Sequence, residues 1–207
     1  MLNLKISMPS VIIIAGIAAV GKSTFSKILV RSIDNCVLLD KDSINESFLS
    51  TSNTSGVGSE IYRLTGAKIS KTSNYYKTNV RLQSYQCMLR LAKDNLDCGK
   101  SVILDGNYVN EIRQGYLETV LFPFFEGIAK IKLVYVYADE RVIKQRMIQR
   151  NASRDTEKIK SKKAWRLFLK EQPLLPPELE KYEHIKINTD VSLEQNIQIV
   201  GKYICNG

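Results

Sequence analysis

The stretch VIIIAGIAAVGKST, residues 11–24, constrains this chain more than any other part of it. Four large β-branched residues, Val11 to Ile14, read as a strand buried on both faces, because a half-exposed strand alternates apolar with polar. The apolar run continues to Val20 behind Lys5 and loosely resembles an export signal. It is about half as long as a membrane-spanning helix, and one lysine makes a poor basic flank. From Gly16 the run fits G-x-x-x-x-G-K-[ST], through Ala18, Ala19, Val20, Gly21, Lys22 and Ser23, with Thr24 following. The two glycines let successive backbone N–H groups turn inward as a nest for phosphate at a helix N-terminus. Lys22 then supplies a point charge and Ser23 a hydroxyl for magnesium. Phe25, Ile28 and Leu29 recur at helical spacing, so strand, loop and helix all follow in the order this chemistry requires.

A chain of 207 residues suits one domain, 1–207, with room for an inserted lid. The four cysteines form no C-x-x-C pair and His184 is the only histidine, which argues against a disulfide framework or a metal–thiolate site and makes a reducing cytoplasm the expectation. Cys36 and Cys87 sit in apolar patterns as small core residues. Residues 141–170 hold eleven Lys or Arg against two Asp or Glu, while the rest of the chain has nineteen of each. The whole excess of +9 therefore lies in one segment, which calls for an anionic partner such as nucleotide phosphates, nucleic acid or an acidic substrate. The oligomeric state is not legible in the sequence.

Apolar runs at 36–40, 101–105, 130–137 and 184–189 alternate with helical patterns at 43–49, 74–99, 111–125 (interrupted at Pro123), 140–150 and 193–204. In the 74–99 pattern Tyr76, Val80, Met88, Leu91 and Leu96 share a face. The polar stretch 50–59 reads as a mobile loop without a fold of its own. Alternation of this kind predicts an α/β fold, a parallel sheet between two layers of helices, with ligands at the carboxyl ends of the strands. Asp40 and Asp42 end the second strand and Asp105 the third. Each is also a turn or capping residue, Asp42 for the helix at 43–49. Beside a phosphate loop they acquire roles: a hydroxyl attacking the γ-phosphate needs a proton acceptor in line with it, and magnesium needs a carboxylate.

The phosphate loop, LLDKDSINESF (38–48), SVILDGNYVNEIR (101–113) and VYVYADERVIKQRMIQRNASRD (134–155) together resemble the P-loop kinases of the polynucleotide kinase and zeta-toxin type, which include small-molecule kinases. The resemblance implies a P-loop NTPase fold with a five-stranded parallel sheet and a helical lid at 150–172, using ATP and Mg2+. It implies that Asp42 is the general base and that Asp105, with Ser23, completes the metal shell. Lid arginines at Arg146, Arg150 and Arg154 would fold over the phosphoryl group, Arg150 being best placed. The acceptor pocket of such kinases precedes the third strand, which selects Arg81 and Tyr85, joined by Asp40, Asn45 and Asn107. Two features depart from the pattern. Asn45 stands where the bacteriophage polynucleotide kinase carries an arginine, and the zeta-toxin sugar-nucleotide signature is not evident.

The three arginines are spaced four apart, so an uninterrupted helix would align them on one face. Lys158 to Lys163 read as a solvated surface, and Trp165 and Phe168 as core aromatics rather than a base-stacking platform. A small-molecule hydroxyl kinase is thus expected, a polynucleotide 5′-hydroxyl kinase being the alternative and a regulatory ATPase the second. Motor-type ATPases place a water-activating Glu after the strand-end Asp, where this chain has Gly106. No membrane partner is expected.

Overall fold

The computed structural model describes residues 4–50, 57–71 and 73–205. Five strands, β1 (Ser10–Ala15), β2 (Cys36–Asp40), β3 (Ser101–Asp105), β4 (Lys130–Tyr137) and β5 (His184–Asn188), form one sheet in the order β2-β3-β1-β4-β5. Every pairing is parallel. All six residues of β1 are buried, as its unbroken β-branched run demands: the strand is central in the sheet and helices cover both faces. Burying one Ile or Val of this kind contributes about 1.5–3 kcal/mol, so β1 anchors the core. Its register puts Ile14 beside Asp105 of β3 and Val134 of β4, which fixes the loop after β1 between its two neighbours.

The helices are α1 (Lys22–Arg31), α2 (Lys41–Leu49), α3 (Val57–Thr65), α4 (Arg81–Asp97), α5 (Val109–Arg113), α6 (Phe122–Phe125), α7 (Glu140–Arg150), α8 (Ser153–Ile159), α9 (Lys162–Glu171) and α10 (Leu193–Cys205). The strands and most helices lie where the hydrophobic periodicity puts them. The differences have identifiable causes. Residues 57–59, expected in a loop, open α3; Gly58 lets this helix lie against α2, since a Cβ there would come 2.4 Å from the Leu49 carbonyl. Residues 51–56 of that expected loop lie outside the described residues. A π-helical turn, Tyr76–Val80, leads into α4 and rotates its faces, so Leu89 and Ala92 are buried and Leu91 is exposed. Pro123 occupies the first turn of α6, where its missing N–H costs nothing; the break falls earlier, at Gly115 with φ of 75°. Among the described residues no helix is long and apolar enough to cross a membrane.

Gly16 is the tightest point of the design. Its φ is 141°, and a Cβ there would lie 2.1 Å from the Val136 carbonyl oxygen of β4. Gly16→Ala should therefore lower stability by about 2 kcal/mol or more, a backbone clash added to a disfavoured φ. The denaturation midpoint checks this; an unchanged midpoint would mean that β4 can retreat at no cost.

Candidate active site

The loop after β1 is held at both ends. Gly16 N–H donates to the Asn107 carbonyl (2.9 Å), tying the loop to the end of β3. On the other side Arg146 donates from Nη1 to the Val20 carbonyl (3.1 Å) and to Thr189 Oγ1 (2.8 Å), and from Nη2 to the Thr189 carbonyl (3.1 Å), while Asp190 lies 3.6 Å from its guanidinium. On either side of Val20, Ala19 and Gly21 take positive φ, 66° and 96°, which bends the loop into its nest before α1 begins. Ala18, Ala19, Gly21, Lys22, Ser23 and Thr24 line a cleft of about 510 Å³, within the size range of small-ligand sites. Gly16 and Val20, both expected at the nucleotide, do not line it: they shape the loop, Val20 with a buried side chain and a carbonyl given to Arg146.

The same cleft gathers Asp40, Asp42, Asp105, Asn107, Arg146, Arg150 and Arg154, as the sequence places them. Asp40 caps α2, accepting from Ser43 N–H (2.9 Å), and so leaves Asp42 in the first turn with its carboxylate free to face the cleft. Asp105 is buried, and its Oδ2 has no hydrogen-bond partner. Burial pushes its carboxyl up to about 6; Lys22 and the Ser23 hydroxyl pull the other way, and the nearby Asp40 adds to the rise. An unpartnered carboxylate oxygen beside the Ser23 hydroxyl is what a hard divalent cation needs from a protein that leaves most of its shell to phosphate and water. Lys22 donates to the Ile17 carbonyl (2.8 Å), and burial lowers its pKa against the pull of Asp105, Asp42 and Asp40.

The lid arginines do not form a single stripe. Asn151 adopts φ of 47° and ends α7 at Arg150, so α8 sets off in a new direction. Each arginine consequently has its own task. Arg146 braces the loop; Arg150 is held through Nε and Nη2 by Asp155; and Arg154 reaches across to Asp42 Oδ2 (3.0 Å). The Asp155 side chain is 1% exposed and also accepts from Lys158 (3.0 Å). Burial raises its pKa, but the hydrogen bonds and charges of Lys158 and Arg150 outweigh this and hold it below the ordinary carboxylate range.

Three expected acceptor contacts fall elsewhere. Asn45 is buried and hydrogen-bonded to Ser84 Oγ (2.6 Å), tying α2 to α4. Tyr85 is buried against Tyr108 and Tyr116, with ring centroids 5.6 and 5.4 Å away. Arg81 faces Glu111 at 4.0 Å, and neither Arg81 nor Tyr85 lines the cleft. Helical spacing had put Arg81 and Tyr85 on one face but could not say that this face is covered. Lys41, Lys71 and Lys158 line the cleft without having been singled out, Lys158 against its reading as solvated surface. Asp155 was likewise missed; an acid amid so many cations was the available signal. Trp165 and Phe168 are buried, as expected.

The fold and this constellation define a P-loop protein, with the nest at the end of β1 and acids at the ends of β2 and β3. The chain belongs to the AAA domain family, which matches residues 11–173. Its fold is shared by a protein of Chloroflexus aurantiacus J-10-fl that carries a provisional kinase designation: TM-score 0.62, 18% identity, 94% of this chain and 97% of that one. A sugar kinase from Janibacter sp. HTCC2649 gives TM-score 0.56 at 14% identity over 93% and 92% of the two chains. Shikimate kinase from Acinetobacter baumannii gives 0.53 at 18% identity over 97% and 94%. No curated protein sequence matches the chain significantly.

The raised Asp105 pKa carries a stability cost with a definite sign. Between the ordinary value of 3.8 and about 6 the folded state binds more protons at this group than the unfolded chain does, so stability falls as pH rises through that window. Above it the cost is complete, about 3 kcal/mol for a shift of about two units. Asp105→Asn should therefore raise the melting temperature at pH 8 and leave it near wild type at pH 4, while weakening Mg2+-dependent nucleotide binding. Thermal denaturation at both pH values decides; no gain at pH 8 would mean that ionised Asp105 is compensated.

Proposed function

We propose that this protein is an ATP-dependent phosphotransferase that moves the γ-phosphate to a hydroxyl of a small molecule. The observation that carries the reading is the placement of Asp42, whose carboxylate shares one cleft with the phosphate loop and meets the lid at Arg154. The loop N–H groups and Lys22 hold the phosphates. Ser23 and Asp105 are the residues that would hold Mg2+, which when bound offsets charge on the phosphates. Asp42 accepts the proton of the attacking hydroxyl. The Arg154–Asp42 pair is half exposed, and such pairs are worth about 0–1 kcal/mol. It therefore exchanges readily: Arg154 turns to the phosphoryl oxygens as Asp42 is freed for the acceptor. Arg150, fixed from behind by Asp155, presents a pre-set charge to the same oxygens.

The inward packing of Trp165 and Phe168 favours a small acceptor over a single-stranded nucleic acid, because it leaves α9 no aromatic surface on which bases could stack. The second reading, a polynucleotide 5′-hydroxyl kinase, rests on the exposed basic face of α9, Lys162, Lys163, Arg166 and Lys170. A regulatory ATPase is the third; Gly106, following Asp105, offers it no side chain to activate water.

The test is transfer of label from γ-labelled ATP into a metabolite extract and into 5′-hydroxyl oligonucleotides. Label should enter the metabolites, with Lys22→Ala inactive and Asp42→Asn slowed about a hundredfold or more at nearly unchanged ATP affinity. Label on oligonucleotides would establish the second reading, and phosphate release indifferent to Asp42→Asn the third. Arg150→Ala should lower kcat more than it raises the KM for ATP, as expected for a charge aimed at the transition state; the reverse split would make it a ground-state nucleotide contact.

A further inference from the structure

Among the cations that line the cleft, Lys41 alone has neither an ion pair nor a hydrogen bond with a described residue. Lys22 donates to the Ile17 carbonyl, Arg146 lies beside Asp190, Arg150 and Lys158 share Asp155, Arg154 meets Asp42, and Lys71 pairs with Glu46. Lys41, the first residue of α2, is 9% exposed, and its ammonium makes no hydrogen bond or ion pair with any described residue. It lies over the face of Tyr85, with Nζ 4.6 Å from the ring centroid. A cation over an aromatic ring recovers only part of what is lost when an ammonium leaves water. Burial accordingly lowers its pKa, with the charges of Glu111 and Asp42 opposing at a distance. Glu111 is itself engaged by Arg81. The fold thus keeps a largely buried lysine, with donors that no described side chain takes, in the lining of the cleft.

Its position identifies the ligand it faces. The brace between Arg146, Thr189 and Asp190 lies toward β4 and β5, whereas Lys41 follows β2 and packs on α4. Phosphates held by the loop after β1 lie between the two flanks, and Asp42, next in sequence to Lys41, stands on the β2 flank. In-line attack brings the acceptor to the side of its base.

We propose that Lys41 is an oxyanion subsite for the acceptor, so that the acceptor is a hydroxy acid or a phosphorylated polyol. This rests on the kinase reading above. The acceptor hydroxyl gives its proton to Asp42 and its oxygen forms the new bond to the γ-phosphorus; the bond from that phosphorus to the β–γ bridging oxygen breaks, and ADP leaves. The acceptor's oxyanion is unchanged and serves to hold the molecule, which costs the protein little because burial of Lys41 has already removed most of its water.

Two measurements test the proposal. In the first, a metabolite extract is divided on an anion exchanger before labelling with γ-labelled ATP. Acceptor activity should lie in the retained fraction; loss of that activity on prior phosphatase treatment identifies a phosphate ester, and survival a carboxylate. Labelling confined to the unretained fraction, or to 5′-hydroxyl oligonucleotides, overturns the subsite. With the retained pool as acceptor, Lys41→Met should raise the acceptor KM at least tenfold without changing the KM for ATP, and Lys41→Arg should restore most of the difference.

The second measurement needs no turnover. With the phosphate loop saturated by Mg2+ and a non-hydrolysable ATP analogue, inorganic phosphate is titrated calorimetrically. Wild type should bind it, Lys41→Met at least tenfold more weakly, and Lys41→Arg nearly as wild type. Absence of binding, or equal affinity in Lys41→Met, overturns the subsite. Phosphate binding through Lys41 with no transfer to any pool supports the subsite and rejects the kinase reading, which keeps the two failures apart.

Discussion

Everything at the head of the sheet depends on the loop between β1 and α1 being fixed from both sides. The bond from Gly16 N–H to the Asn107 carbonyl joins it to β3, and the Val20 carbonyl joins it to Arg146 and Thr189 across β4. Between these points the backbone occupies left-handed conformations that a free loop would not hold, since they cost energy that only surrounding contacts repay. Rigidity here matters chemically. A nest of N–H groups binds phosphate well only when the donors already point inward, because ordering them on binding would consume the gain.

The electrostatics around that loop show a division of labour. Cations paired with acids, such as Arg150 and Lys158 on Asp155, are fixed in place: the buried carboxylate holds them at the cleft without using all of their donors. Asp105 Oδ2, buried without a hydrogen-bond partner, and Lys41, largely buried over the Tyr85 ring, are where folding has left cost in place. Each carries one sign of charge in the lining of the same cleft as Asp42. The exposed Arg154–Asp42 pair is of a third kind, weak enough to open whenever a better partner for either side arrives.

Much of this was legible beforehand. The strand–loop–helix around GKST, the acids at the strand ends and the five parallel strands follow from hydrophobic runs and motif spacing, which are local properties. The misassignments at Arg81, Tyr85 and Asn45 share one origin. Spacing along a helix says which residues share a face but not what that face meets, and here Tyr108 and Tyr116 cover Tyr85, Ser84 takes Asn45, and Glu111 draws Arg81. The lid failed in another way: the expected stripe of arginines assumed an unbroken helix, whereas Asn151 takes a left-handed conformation and redirects the chain. Asparagine tolerates that conformation, but nothing in its neighbours requires it.

The sequence by itself determined the class of fold and the phosphate-loop motif, because an anion nest needs particular residues at particular spacings along a few turns of chain. Tertiary structure alone decided which charges are spent and which are left over. Asp155 holding Arg150, Arg154 meeting Asp42 across 112 positions, and Lys41 stranded over Tyr85 are long-range juxtapositions. They set the properties of the site because burial, not residue type, determines how strongly a charge needs a partner.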